Sequence, residues 1–135
     1  MRKVEKTEQE WKEELTPAEY HVMREGGTER AFSGQYYGTE EDGIYRCAAC
    51  GNELFDSSTK FKSGSGWPSF WAPVDEENVE YVRDRELLTE RTEVRCAACG
   101  SHLGHVFDDG PPPTHKRYCM NSVALDLEKR NRPAE

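Results

Sequence analysis

Polar and apolar positions follow two different rhythms along this chain of 135 residues. From residue 7 to 25 the spacing is helical. Trp11 and Leu15 lie one turn apart, and Tyr20, Val22 and Met23 follow. Thr7 is placed to cap the first helix. Thr16-Pro17 starts the second, with Thr16 as N-cap, Pro17 at the first helical position and Glu19 in the first turn. Gly26-Gly27 ends it. Trp11, Leu15 and Tyr20 are expected to dock these helices onto the body of the protein.

After Gly27 the rhythm shortens. Strand-length pieces alternate with turn residues: Gly43–Arg46, Glu53–Phe55, Gly66–Trp71, Val79–Val82, Thr92–Arg95, His102–Phe107, Arg117–Met120 and Val123–Leu127. Tyr81, Val94 and Val123-Leu125-Leu127 fit an alternation of two. The spacing predicts a mainly β body of antiparallel strands over 28–127. Pro111-Pro112-Pro113 reads as a rigid loop, and the polar tail 128–135 is expected to fray.

Length and composition narrow the class. A chain of this size suggests one domain spanning 1–135. Mean hydropathy is −0.94 and 33% of residues are charged. No run approaches a membrane span, and the charged start has no signal-peptide core, so the cytoplasm is the expected compartment. Acidic residues outnumber basic ones 26 to 18, for a net charge of −8. That excess favours neither nucleic-acid binding nor polybasic membrane attachment. Monomer is the default state.

Cysteine arithmetic changes the picture more. Arg46-Cys47-Ala48-Ala49-Cys50-Gly51 recurs word for word as Arg95-Cys96-Ala97-Ala98-Cys99-Gly100. Two such turns bring four thiolates to one ion, and the following Gly permits the left-handed conformation such a turn commonly needs. Four sulfurs complete the tetrahedral shell of Zn²⁺, so the pattern predicts one structural ion held by Cys47, Cys50, Cys96 and Cys99. The 45 residues between the turns exceed the gap of a compact zinc ribbon. The expectation is that the metal staples two hairpins of one sheet.

Cys119 remains. Arg117 and Asn121 share its face of a strand, and an Arg beside a thiol favours the nucleophilic thiolate. His102 and His105 offer acid–base groups, and Asp109 could orient one of them. His21 and His115 read as surface residues. Ser63-Gly64-Ser65-Gly66-Trp67 presents an indole on a glycine-rich loop, a suitable wall for a small apolar group.

Gly66-Trp67-Pro68-Ser69-Phe70, the run His102–Pro111, Arg117-Tyr118-Cys119-Met120-Asn121-Ser122 and the paired CxxC turns occur in order. In these the chain resembles the peptide-methionine (R)-S-oxide reductases, the MsrB family, from about Leu15 to Leu127. The resemblance implies two antiparallel β-sheets with short N-terminal helices and zinc away from the active site. It implies reduction of methionine (R)-sulfoxide in oxidised proteins and peptides. By the same match Cys119 is the nucleophile, His102, His105, Asp109, Arg117 and Asn121 form the polar site, and Trp67 packs on the substrate methyl. Many members resemble this chain but carry a resolving cysteine where Ser65 stands. An external reductant, thioredoxin-like or a small thiol, is then needed to recycle Cys119. The competing readings are a zinc-stapled binding module and a redox sensor without turnover.

Overall fold

Two reciprocal caps start the helices. In α1 (Glu8–Glu14) the Thr7 hydroxyl accepts from the Glu10 N–H, and the Glu10 side chain accepts from the Thr7 N–H. In α2 (Pro17–Met23) Thr16 and Glu19 repeat the arrangement. Each cap contributes about 1 kcal/mol. Helices of seven residues do not stand alone. Burial of Trp11, Leu15, Val22 and Met23 holds them, as the apolar spacing implied. Tyr20 stays half-buried, and its hydroxyl donates to Glu8, tying one helix to the other.

The computed structural model describes residues 3–86 and 89–130. Among the described residues nine strands follow the helices: β1 (Gly43–Cys47), β2 (Glu53–Asp56), β3 (Lys60–Phe61), β4 (Ser69–Phe70), β5 (Val79–Glu86), β6 (Thr89–Cys96), β7 (His102–Phe107), β8 (Arg117–Met120) and β9 (Leu125–Lys129). They form two antiparallel sheets, ordered β2-β1-β9 and β3-β4-β8-β7-β6-β5. The expected mainly β architecture is therefore present. Aromatic side chains join the sheets. Phe55 of β2 stacks on Phe70 of β4 at 4.5 Å, and Tyr45 of β1 meets the same ring edge-on at 5.1 Å. Both rings, with Leu54, Leu103 and Met120, are fully buried. No helix among the described residues is long and apolar enough to cross a membrane.

Three boundaries differ from the sequence expectation. Gly64 and Gly66 adopt positive φ, so Gly66–Trp71 contributes a strand only at Ser69–Phe70. Val123 belongs to a 3₁₀ turn over Ser122–Ala124 rather than to a strand. Its N–H is bound by the Glu29 carboxylate at 3.0 Å and is unavailable to a ladder. The polar tail begins later than 128. Glu128 and Lys129 pair with Ile44 and Gly43, and Arg130 clamps Asp42 and Asp56. Polar side chains suit a strand with one wet face, which is why composition hid them. Residues 131–135 of the expected tail lie outside the described residues.

Candidate active site and metal centre

The two CxxC turns are built alike. Cys47 N–H donates to the Asn52 carbonyl and Gly51 N–H to that of Cys47. Cys96, Ser101 and Gly100 repeat the pattern, and all four bonds are 2.8–2.9 Å. Gly51 and Gly100 both take the left-handed conformation the sequence implied, with φ of 82° and 76°. The first turn joins β1 to β2 and the second joins β6 to β7. These hairpins belong to different sheets. The cluster thus crosslinks the two layers, correcting the expectation of one sheet. Sequence separation could not distinguish the cases, because the order of strands depends on tertiary packing.

Cys47, Cys50, Cys96 and Cys99 bring their sulfurs within 4.8 Å of one another. Cys47 lies 3.7 Å from Cys99, and Cys50 lies 3.6 Å from Cys96. A tetrahedron with metal–sulfur bonds of ~2.3 Å has an edge of roughly 3.8 Å. The spacing fits four ligands of one ion, and it is far from the ~2.05 Å of a disulfide. The Asn52 amide donates to Cys96 sulfur at 3.6 Å. Arg24 reaches the Cys99 carbonyl and the Ser101 hydroxyl from the end of α2.

Cys119 lies elsewhere. It faces a cavity of about 100 Å³ lined by Thr28, Trp67, Arg91, Gly104, His105, Phe107 and Asn121. Cys119 pairs with His105 across β7–β8, so both side chains stand on one face. Gly104 permits this close pairing, since a Cβ there would lie 2.1 Å from the Cys119 carbonyl oxygen. The Trp67 indole is pinned by its Nε1–H to the Glu29 carbonyl at 3.0 Å. Ser65 places its hydroxyl 4.0 Å from the Cys119 sulfur and is itself bound to Ser63 at 2.8 Å.

The polar candidates separate into distinct tasks. Arg117 grips Asp109 with Nε and Nη2, at 2.9 and 3.2 Å, while its guanidinium covers the Phe107 ring at 4.5 Å. Asp109 is therefore bound to Arg117, where the sequence had suggested that it orients a histidine. The Phe107–Arg117 register closes the hairpin and brings 109 opposite the guanidinium. His102 instead pairs with Glu93, Nδ1 to Oε2 at 2.6 Å. It does not line the Cys119 cavity but stands behind His105, ring centroids 5.4 Å apart. Asn121 is buried, and its amide is committed: Nδ2 donates to the Leu103 carbonyl and Oδ1 accepts from the Glu29 N–H. His21 and His115 are exposed, as expected.

Burial and charge act against each other at two of these groups. Burial pushes the Cys119 thiol above its ordinary value of 9.0. The Ser65 hydroxyl and the Arg117 charge pull the other way without overcoming it. Arg117 is shared with Asp109, whose negative charge acts on the Cys119 thiol in the same direction as burial. Glu93 behaves differently. Burial raises it, but hydrogen bonds from Arg95 and His102 more than offset that and hold it low.

Sequence reasoning missed Glu29, Glu93 and Thr28. Glu29 ties the irregular segment after α2 to Trp67, Asn121 and Val123 at once. No local pattern marks such a residue. Glu93 was masked by a bulge: β6 advances one residue from Val94 to Arg95 while β7 goes from Gly104 to His102. Simple alternation cannot place Glu93 beside His102.

Comparison with known proteins shows the family. The SelR domain family matches residues 15–129. A "Peptide methionine sulfoxide reductase MsrB" of Methanosarcina barkeri is 58% identical over 125 residues, covering 93% of this chain and 88% of its own. The protein so named from Pseudomonas savastanoi pv. phaseolicola is 58% identical over 130 residues, covering 96% and 99%. With the match reaching from the end of α1 through β9, the chain belongs to the SelR-domain family, the MsrB peptide methionine sulfoxide reductases.

Proposed function

We propose that the chain reduces the R epimer of methionine sulfoxide in oxidised proteins and peptides, with Cys119 as nucleophile. The observation that carries this reading is a lone thiol facing an indole-walled cavity, with an imidazole as its cross-strand partner. The Trp67 face receives the substrate methyl. His105 takes the thiol proton and delivers it to the sulfoxide oxygen, with His102 behind it as the second proton carrier. Such acid–base assistance is worth ~10²–10⁴ in rate. Cys119 sulfur bonds to the sulfoxide sulfur, the oxygen passes to Cys119, and the thioether departs as methionine. Sulfur of the substrate is reduced, and Cys119 is oxidised to a sulfenic acid.

Recycling falls to an external thiol. Ser65 occupies the position beside Cys119 from which an internal cysteine would act. Two equivalents of a small thiol, or one thioredoxin-like dithiol, return Cys119 to the thiol and release water and a disulfide. The remaining four cysteines hold one Zn²⁺, whose closed sulfur shell supplies a structural crosslink and leaves no place for substrate. A reducing compartment such as the cytoplasm suits five cysteines outside any disulfide and a thiol-driven cycle.

The test is turnover of R and S sulfoxide peptides, with dithiothreitol and thioredoxin in parallel. The R peptide alone should be reduced, and Cys119→Ser should lose all turnover while keeping its metal and fold. Full activity in that variant would overturn the assignment.

A further inference from the structure

The buried carboxylate of Glu93 has no task in the reaction as drawn above. It is 8% exposed, in the middle of β6, and a charge at such a place is costly unless it is paired. Its Oε2 is 2.9 Å from Arg95 Nε and 2.6 Å from His102 Nδ1. His102 is only 5% exposed, and its other nitrogen, Nε2, is buried without a hydrogen-bond partner among the described residues. A carboxylate oxygen accepts, so the bond to Glu93 places a proton on Nδ1, and Nε2 has no acceptor among the described residues to favour a proton there.

The consequence reaches His105. The bulge in β7 turns His102 onto the side of His105, and the rings meet edge to face at 5.4 Å. Asn121 fixes the bulge by donating to the Leu103 carbonyl from both its backbone N–H and its side chain, at 2.9 and 3.0 Å. His105 then lines the cavity with Cys119. Behind the pair, His102, Glu93, Arg24 and Arg95 line a polar cavity of about 330 Å³.

We propose that Glu93 is a positioning residue for the reductase reaction: its carboxylate holds the proton on His102 Nδ1, and the ring so fixed sets the orientation of His105 towards Cys119. This rests on the reductase reading and on the role given there to His105. Glu93 never touches substrate. Its effect passes through two imidazoles.

Long-range ¹H–¹⁵N NMR of the metal-loaded full chain reads the tautomer directly. His102 of the native protein should show a protonated Nδ1 and a bare Nε2. In Glu93→Gln the amide can donate or accept, so both tautomers should appear. With a methionine (R)-sulfoxide peptide, that variant should lose about 10–100-fold in kcat with KM changed less than about twofold, as for other residues that orient a working imidazole. Its metal content and the alkylation rate of Cys119 should match the native protein. A native His102 protonated on Nε2, or a Glu93→Gln enzyme with native kcat, overturns the proposal. Should the variant fail to fold, the native tautomer decides. A native chain without turnover on any sulfoxide would instead sink the reductase reading, and this one with it.

Discussion

Two groups of sulfur in this molecule have opposite surroundings. Four thiols face one another at 3.6–4.8 Å where the sheets meet, held by two turns with the same bonds. The fifth, Cys119, faces a half-open cavity whose walls come from several separate stretches of chain. The first group is assembled from two copies of one local instruction. The second needs the segment after α2, the Trp67 loop, β7 and β8 to arrive together. On the proposed function the cluster carries stability and the cavity carries chemistry, so the two should respond to different substitutions.

Breaking the cluster should have the largest effect. Metal affinity of a four-thiolate site is folding free energy, on the order of 10 kcal/mol, comparable to the whole stability of a domain. Cys96→Ser, or exhaustive chelation, should therefore lose cooperative thermal unfolding and bound metal together. A chelated protein with an unchanged melting curve would remove the distinction between the two groups.

Asn121→Ala tests the border between them. The side chain satisfies the bulge carbonyl of Leu103 and the Glu29 N–H. Leaving these buried groups without a partner costs about 1–3 kcal/mol, measurable by denaturant titration. Turnover should fall as well, because the bulge sets His102 against His105.

Arg117→Gln sharpens the comparison at the cavity end. The Cys119 thiol lies above 9.0, so its alkylation should climb with pH throughout the neutral range and plateau only above that value. Arg117 lowers this thiol, and its loss raises it further, slowing alkylation at fixed neutral pH by about 3–10-fold. Melting temperature should barely move. A rate that is flat from pH 6 to 9 would show the opposite sign, a thiolate at rest.

The smallest effect belongs to a residue remote from both. Thr16→Ala removes the α2 cap and should cost about 1 kcal/mol by denaturant titration, with sulfoxide turnover intact.

Legibility in the sequence follows the same divide. The helix starts were readable because Thr7 and Thr16 act within their own first turn. The limits of β7 and β8 matched the apolar runs, and the doubled CxxC announced its own geometry. What stayed hidden depended on contacts between distant segments. Asp109 turned from histidine to Arg117, Val123 left the ladder for Glu29, and Glu93 came to His102 through a bulge. The candidate site residues were readable from their motifs. Their division of labour was not, because hydrogen-bond partners are chosen by register.

The placement of the paired turns also bears on how the protein is made. Cys50 leaves the ribosome 46 residues before Cys96, and Cys47 three residues earlier still. At 5–20 residues per second that is a wait of about 2–9 s. Throughout it the first knuckle is a bare dithiol, open to oxidants and to stray cations. Biosynthesis thus has a vulnerable interval, and the three-stranded layer closes on its partner only when the later half of the chain has emerged.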